Sequence, residues 1–197
     1  MMKLMEGGIE ITAVHNHLLR ATPMTLYMHV GGHGDPVKMA GAIRAALAES
    51  RTPFDPPPAS AGAPPAIALN TAALDQTIGV KGQNINGVYQ FAVPRRDPIT
   101  DSGMAVGTPM GGAHAINFQP TGGGKAAVTG DFVVTAREVN PMIRTLRDNG
   151  IEVTAIHSHM LNEEPRLFFV HFWANDDAEK LARGLRAALE RTAIARS

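Results

Sequence analysis

The chain has eight histidines and no cysteine, and six of the histidines fall into two trios of identical spacing. His157-Ser-His159 is followed by His171 in Leu167-Phe-Phe-Val-His-Phe-Trp, and His15-Asn-His17 is followed by His29 at the same interval. In an extended chain residues two apart leave the same face. After a short polar connection, Asn162 to Pro165, the aromatic and β-branched run reads as the returning strand of a hairpin. A turn centred near Glu164 sets His171 opposite His157 or His159, and facing Cβ atoms lie roughly 4.5–5.5 Å apart. Three neutral imidazoles with an open fourth position suit zinc, and the same ligand type suits copper, iron or nickel. The competing expectation is a hydrogen-bonded cluster flanked by aromatic rings, the ordinary role of histidine in a strand.

Other groups stand near the trios in sequence. Glu164 is a candidate fourth ligand or base, with Glu163 as an accessory, although both also read as a solvated turn. The first trio has Ala21 and Thr22 at the matching places, but His33 where the second has Asn175. The expected metal ligands are therefore His157, His159, His171 and Glu164, and His15, His17, His29 and His33. Asp131 in Gly130-Asp-Phe, His114, Glu163 and Asn175 are accessory candidates, Asp131 for orienting a ligand imidazole. Glu152 alternates to the face opposite His157, which favours a structural role. A metal-dependent enzyme would use the open position for water whose pKa the ion lowers. No serine, histidine and carboxylate arrangement can be assembled, so a non-catalytic module that binds metal or a cell-wall ligand, and a purely structural cluster, remain alternatives.

The elements that must carry these side chains follow from a duplication. Residues 8–48 lie on 150–190 without a gap, an offset of 142, with Gly8, Glu10, Thr12, Ala13, Pro23, Asp35, Arg44 and Leu47 among the identities. Such a repeat has to be found before any fold is assigned. Asp35-Pro36 is an N-cap with proline at the first helical position, opening a helix over Val37 to Ala48. Its counterpart runs from about Ala178 to Thr192, with Leu181, Leu185, Ala188 and Leu189 as the apolar stripe. Gly87 to Pro94, Ala113 to Gln119 and Ala126 to Val134 read as strands, Lys81 to Asn86 as a turn, and Asn70 to Gly79 as a short helix. Pro120-Thr-Gly-Gly-Gly-Lys lacks the first glycine and the Ser or Thr of a phosphate loop, so it reads as a hairpin turn. Arg95-Arg-Asp97 reads as a solvated ion-pairing corner. Thr135-Ala-Arg-Glu138 has capping-box spacing before a helix that ends at Asn149-Gly150.

The expected class is α+β: a duplicated unit of antiparallel strands with helices packed on the sheet. Residues 1–50 form a partial first unit of hairpin plus helix, 51–75 a proline- and alanine-rich linker, and 76–197 a complete second unit. The linker centred on Pro56 to Pro65 is expected to be mobile or cleavable without loss of the fold. The partial unit has a strand edge to pair and a face to cover, so a homodimer or larger assembly is expected.

Composition bounds the rest. The 197 residues carry 18 basic and 18 acidic side chains, which removes the electrostatic case for nucleic acid or an anionic membrane surface. No apolar run is long enough to span a bilayer and no signal peptide is visible, so the sequence as it stands reads as soluble and cytoplasmic. Zero cysteines exclude disulfides and thiolate sites.

Ile151-Glu-Val-Thr-Ala-Ile-His-Ser-His-Met-Leu, together with Gly130-Asp-Phe, Glu138-Val-Asn-Pro141 and Phe169-Val-His-Phe-Trp-Ala-Asn-Asp-Asp, resembles the bacterial LppY/LpqO lipoprotein family over almost the whole chain. The resemblance implies a domain of poorly defined function, exported and built from two such units; here the first part of the first unit and an export signal are lacking. A weaker likeness, His157-x-His159 with Glu163 or Glu164 and then His171-x-x-x-Asn175, is to the metal signature of cupins. The short spacing and the helices after each hairpin argue against the cupin fold.

Overall fold

The computed structural model describes residues 1–55 and 64–195. The histidine-bearing segments form two hairpins of unequal support. The first hairpin, β1 (Glu10–His15) and β2 (Tyr27–Gly31), is a separate two-stranded sheet flanked by α1 (Met2–Glu6) and α2 (Pro36–Leu47). After α3 (Thr71–Ile78) come β3 (Gln83–Ile85), β4 (Val88–Pro94), β5 (Thr100–Asp101), β6 (Met104–Ala105), β7 (Ala113–Gly122) and β8 (Lys125–Thr135). Then follow α4 (Ala136–Asp148), β9 (Glu152–His157), β10 (Glu163–Glu164), β11 (Leu167–Asp177) and α5 (Ala178–Leu189). A six-stranded antiparallel sheet has the order β3-β4-β7-β8-β11-β9, and a small sheet has the order β10-β5-β6.

Strand alternation divides the large sheet into two faces. Phe132, Val134, Val170 and Phe172 point to the face covered by α4 and α5, where Met142, Leu146, Leu181, Leu185 and Leu189 are buried with them. Each of these leucines contributes about 2 kcal/mol by leaving water. The intervening residues Val133, Leu167 and Phe169 point the other way, into a smaller cluster with Ile99. His171 shares that second face, because it lies two residues from Phe169 on β11. The histidines are thereby kept off the helix-covered core. The result is an α+β fold with helices packed on antiparallel sheets, and it is not a barrel.

Local signals account for most boundaries. The Asp35 carboxylate accepts from Val37 N at 2.8 Å and Lys38 N at 3.0 Å to start α2, and the Asp177 carboxylate accepts from Lys180 N at 2.7 Å to start α5. The expected capping box forms, with Glu138 accepting from Thr135 N at 2.7 Å. The Gly122–Gly124 run turns between β7 and β8 with positive φ throughout. Gly130 is needed for a different reason: a Cβ there would sit 1.9 Å from the Ala115 carbonyl oxygen across the β7–β8 ladder.

Several expectations change. The turn expected at Lys81 to Asn86 contains β3, while the short helix expected over Asn70 to Gly79 forms as α3, capped by Asn70 and overlapping the end of the 51–75 linker. Part of that linker, residues 56–63, lies outside the described residues. The expected Arg95–Asp97 ion pair forms, at 3.1 Å, but Arg95 is buried rather than solvated. It is 6% exposed and donates from Nη1 to Glu138 Oε2 and to the Val133 carbonyl, both at 2.8 Å. A buried guanidinium needs such partners, and its carboxylate comes from α4, far along the chain. No helix among the described residues is long and apolar enough to cross a membrane.

Candidate metal centre

Both hairpins position their histidines by the same ladder. In the second, His157 faces Phe169 and His171 faces Ala155, with Thr154 skipped by a register shift. In the first, His15 faces Tyr27 and His29 faces Ala13, with Thr12 skipped. The register expected from the sequence, with His171 directly opposite His157 or His159, is therefore displaced. The same displacement occurs in both hairpins, and in the second Glu163 and Glu164 of the connection pair with β5. His159 and His17 lie just beyond their strands, in these connections.

The two trios meet face to face. His15 stacks on His157 with ring centroids 3.5 Å apart, His17 on His171 at 3.8 Å, and His29 on His159 at 3.8 Å. The offset of 142 carries the first stack onto itself and exchanges the other two, so the six rings are related by an approximate twofold. Within a trio neighbouring rings are 4.8–4.9 Å apart. Tyr27 stacks on His17 at 3.8 Å and Phe169 on His159 at 3.4 Å, closing the two ends in the same way.

The nitrogen atoms point to metal chemistry. All six Nε2 atoms are buried and meet no hydrogen-bond partner in the protein. Nδ1 of His15 lies 3.3 Å from the Asn16 carbonyl, and Nδ1 of His157 lies 3.3 Å from the Ser158 carbonyl. A carbonyl partner requires Nδ1 to carry the proton, which leaves the Nε2 lone pair directed inward. A buried acceptor without a partner costs roughly 1–3 kcal/mol, so six together would be a large burden unless an ion offsets it. Three sets have ligand atoms within 4.8 Å of one another: His15, His17 and His157; His15, His29 and His159; and His157, His159 and His171. The first two draw on both hairpins.

The surroundings hold these rings neutral. Burial, followed by the charges of neighbouring histidines, lowers His17 and His157 to about 4 from 6.5. The same causes lower His29, His159 and His171, with the Gly130 backbone carbonyl opposing the effect at His171. Neutral imidazole is the ligating form.

The remaining candidates are placed elsewhere or used otherwise. Glu164 is exposed on β10. Glu163 is buried, pairing with Arg166 at 3.2 Å and accepting from Leu167 N at 3.0 Å, so it fastens the connection that carries His159. Asp131 faces His171 across the ladder, and burial raises its carboxyl to about 6 against the opposing influence of the Ala115 backbone. Asn175 accepts from Thr121 at 2.9 Å on the far part of β11. His114 accepts from Val133 N at 3.0 Å and pairs with Thr192 at 3.3 Å; burial lowers it to about 3. It belongs to the core rather than to the cluster. His33 is exposed and lines a cavity beside the cluster.

Two features escaped sequence reasoning. Arg20 forms a forked ion pair with Glu152, tying the first hairpin to the second. The only available signal was Glu152 recurring as Glu10, and Arg20 has no basic counterpart at Asn162. The stacking of one trio on the other was likewise invisible in either trio alone.

A family profile described as Domain of Unknown Function (DUF1259) matches residues 1–49 and 72–191. No curated protein and no solved structure matches the chain.

Proposed function

We propose that this chain, which belongs to the DUF1259 family, binds a divalent transition-metal ion in a centre shared by its two histidine hairpins. The observation that carries this reading is the set of six inward Nε2 atoms, buried and without protein partners. His157, His159 and His171 supply one face, and His15, His17 and His29 the other. An all-imidazole donor set suits zinc, copper, iron or nickel, and zinc leads on availability. A bound ion with an open position would lower the pKa of water, which is the chemistry an enzymatic role would use. What the protein residues contribute is orientation: carbonyls fix the tautomers, Tyr27 and Phe169 hold the end rings, and Glu163 and the Arg20–Glu152 pair fasten the connections.

The finer reading of the family is the LppY/LpqO lipoproteins, supported by the motifs around Ile151 and Gly130, with a place in the cell envelope and a duplicated unit. A homodimer is supported by exposed Tyr27, Met28 and Val30 on β2, whose outer edge has no ladder among the described residues. Light scattering tests it, and a monomer at micromolar concentration would reject it.

Metal content tests the function. After dialysis against zinc, copper or iron and removal of loose ions, elemental analysis should find stoichiometric metal in the parent and none in the variant with His157, His159 and His171 all changed to alanine. Equal contents would reject the reading.

A further inference from the structure

The cluster offers more nitrogen than one three-histidine site uses. Each set whose ligand atoms lie within 4.8 Å of one another holds three residues: His15, His17 and His157; His15, His29 and His159; or His157, His159 and His171. An ion in any one of these sets leaves the other three imidazoles with Nε2 buried and without a protein partner. Folded chains avoid that state for buried polar atoms.

The approximate twofold divides the six rings without remainder. Carried through the offset of 142, His15, His29 and His159 become His157, His171 and His17, and the two triads have no member in common. Their ring spacings agree. His15–His29, His15–His159 and His29–His159 are 4.9, 6.0 and 3.8 Å apart, against 4.8, 5.8 and 3.8 Å for His157–His171, His17–His157 and His17–His171. Each triad thus takes one outer stack and one half of the central stack. The other even division leaves each hairpin its own trio, whose neighbouring rings are more widely set, at 4.8–4.9 Å.

From this fit we infer that the centre holds two metal ions, one on His15, His29 and His159 and the other on His17, His157 and His171. The inference goes beyond the metal-binding reading and rests on it. Three imidazoles leave each ion an open position, and paired ions share a small oxygen ligand between them. No carboxylate is among the six donors, so two dications held by neutral imidazoles bring uncompensated charge into a buried site. The shared ligand is therefore an anion, hydroxide in the simplest case.

The test uses the full chain, stripped with a chelator and titrated with zinc, with bound zinc per chain read by elemental analysis after loose ions are removed. Two double variants that each remove two rings are compared. His29→Ala with His159→Ala takes two ligands from one triad and none from the other, whereas His29→Ala with His171→Ala takes one from each. The parent is expected to hold two zinc ions per chain, the first variant one, and the second variant neither at concentrations that load the parent. Cupric ion loaded to the same level should give a spin-coupled paramagnetic resonance spectrum in the parent and an isolated-ion spectrum in the first variant. A single zinc ion in the parent would overturn the pair and leave the metal-binding reading standing, and no zinc would overturn both. Equal zinc in the two double variants, or isolated cupric spins in the fully loaded parent, would overturn the division into shared triads.

Discussion

His15 and His157 lie ring on ring, 3.5 Å between centroids and 28° between planes, at sequence positions related by the same offset that relates the two hairpins. This central stack is the point about which the other two stacks exchange. A protonated ring anywhere in it would face a neighbour at van der Waals distance, which is why burial and ring-to-ring repulsion act together on His157.

Histidines inside and outside the centre should separate cleanly. His159→Ala removes a candidate ligand and should weaken zinc binding by about tenfold or more, as losses at metal sites do. His114→Ala should leave zinc affinity nearly unchanged but cost about 1–3 kcal/mol of stability, because Val133 N loses its buried acceptor. Zinc titration and urea unfolding on both variants check the pair of outcomes; the reverse assignment would place the site elsewhere.

The metal-free protein should weaken on acidification. His17 and His157 are lowered to about 4 from 6.5 in the folded chain, so between those values the unfolded chain binds protons that the folded chain refuses. Stability from these groups is present above 6.5 and is lost as pH falls towards 4. Urea midpoints at pH 7.5, 6 and 5 should descend in that order, and a flat profile would contradict the burial of neutral rings. Metal affinity should fall over the same range, since protons compete for Nε2.

Glu138 holds three things at once: the buried Arg95, the Thr135 cap of α4 and the Ala193 backbone at the chain's far end. Replacing it with alanine leaves Arg95 buried without its main partner, at a cost of about 3–5 kcal/mol. Urea unfolding of Glu138→Ala measures this, and a loss below about 1 kcal/mol would show that Asp97, 3.1 Å from Nη2, or water suffices for the guanidinium.

Much of this architecture was legible because its determinants are local. Asp35-Pro36, the Thr135–Glu138 box and the glycine run before Lys125 carry their own start and stop chemistry, and β7, β8 and β11 are long enough to show strand composition. Register was not legible, because each hairpin skips a threonine, Thr12 or Thr154, by a register shift that sequence alternation does not announce. The burial of Arg95 was hidden for a related reason, its carboxylate lying 43 residues away. The trios were legible one at a time, and sequence spacing contains nothing to say that one would close upon the other.

The central claim is that the centre belongs to both hairpins, and zinc titration of the parent beside His15→Ala and His157→Ala tests it most directly. Each substitution removes one half of the central stack, so each should reduce affinity by about tenfold or more, and by similar factors. If His157→Ala abolishes binding while His15→Ala binds as the parent does, the ion is held by His157, His159 and His171 alone, and the shared centre is wrong.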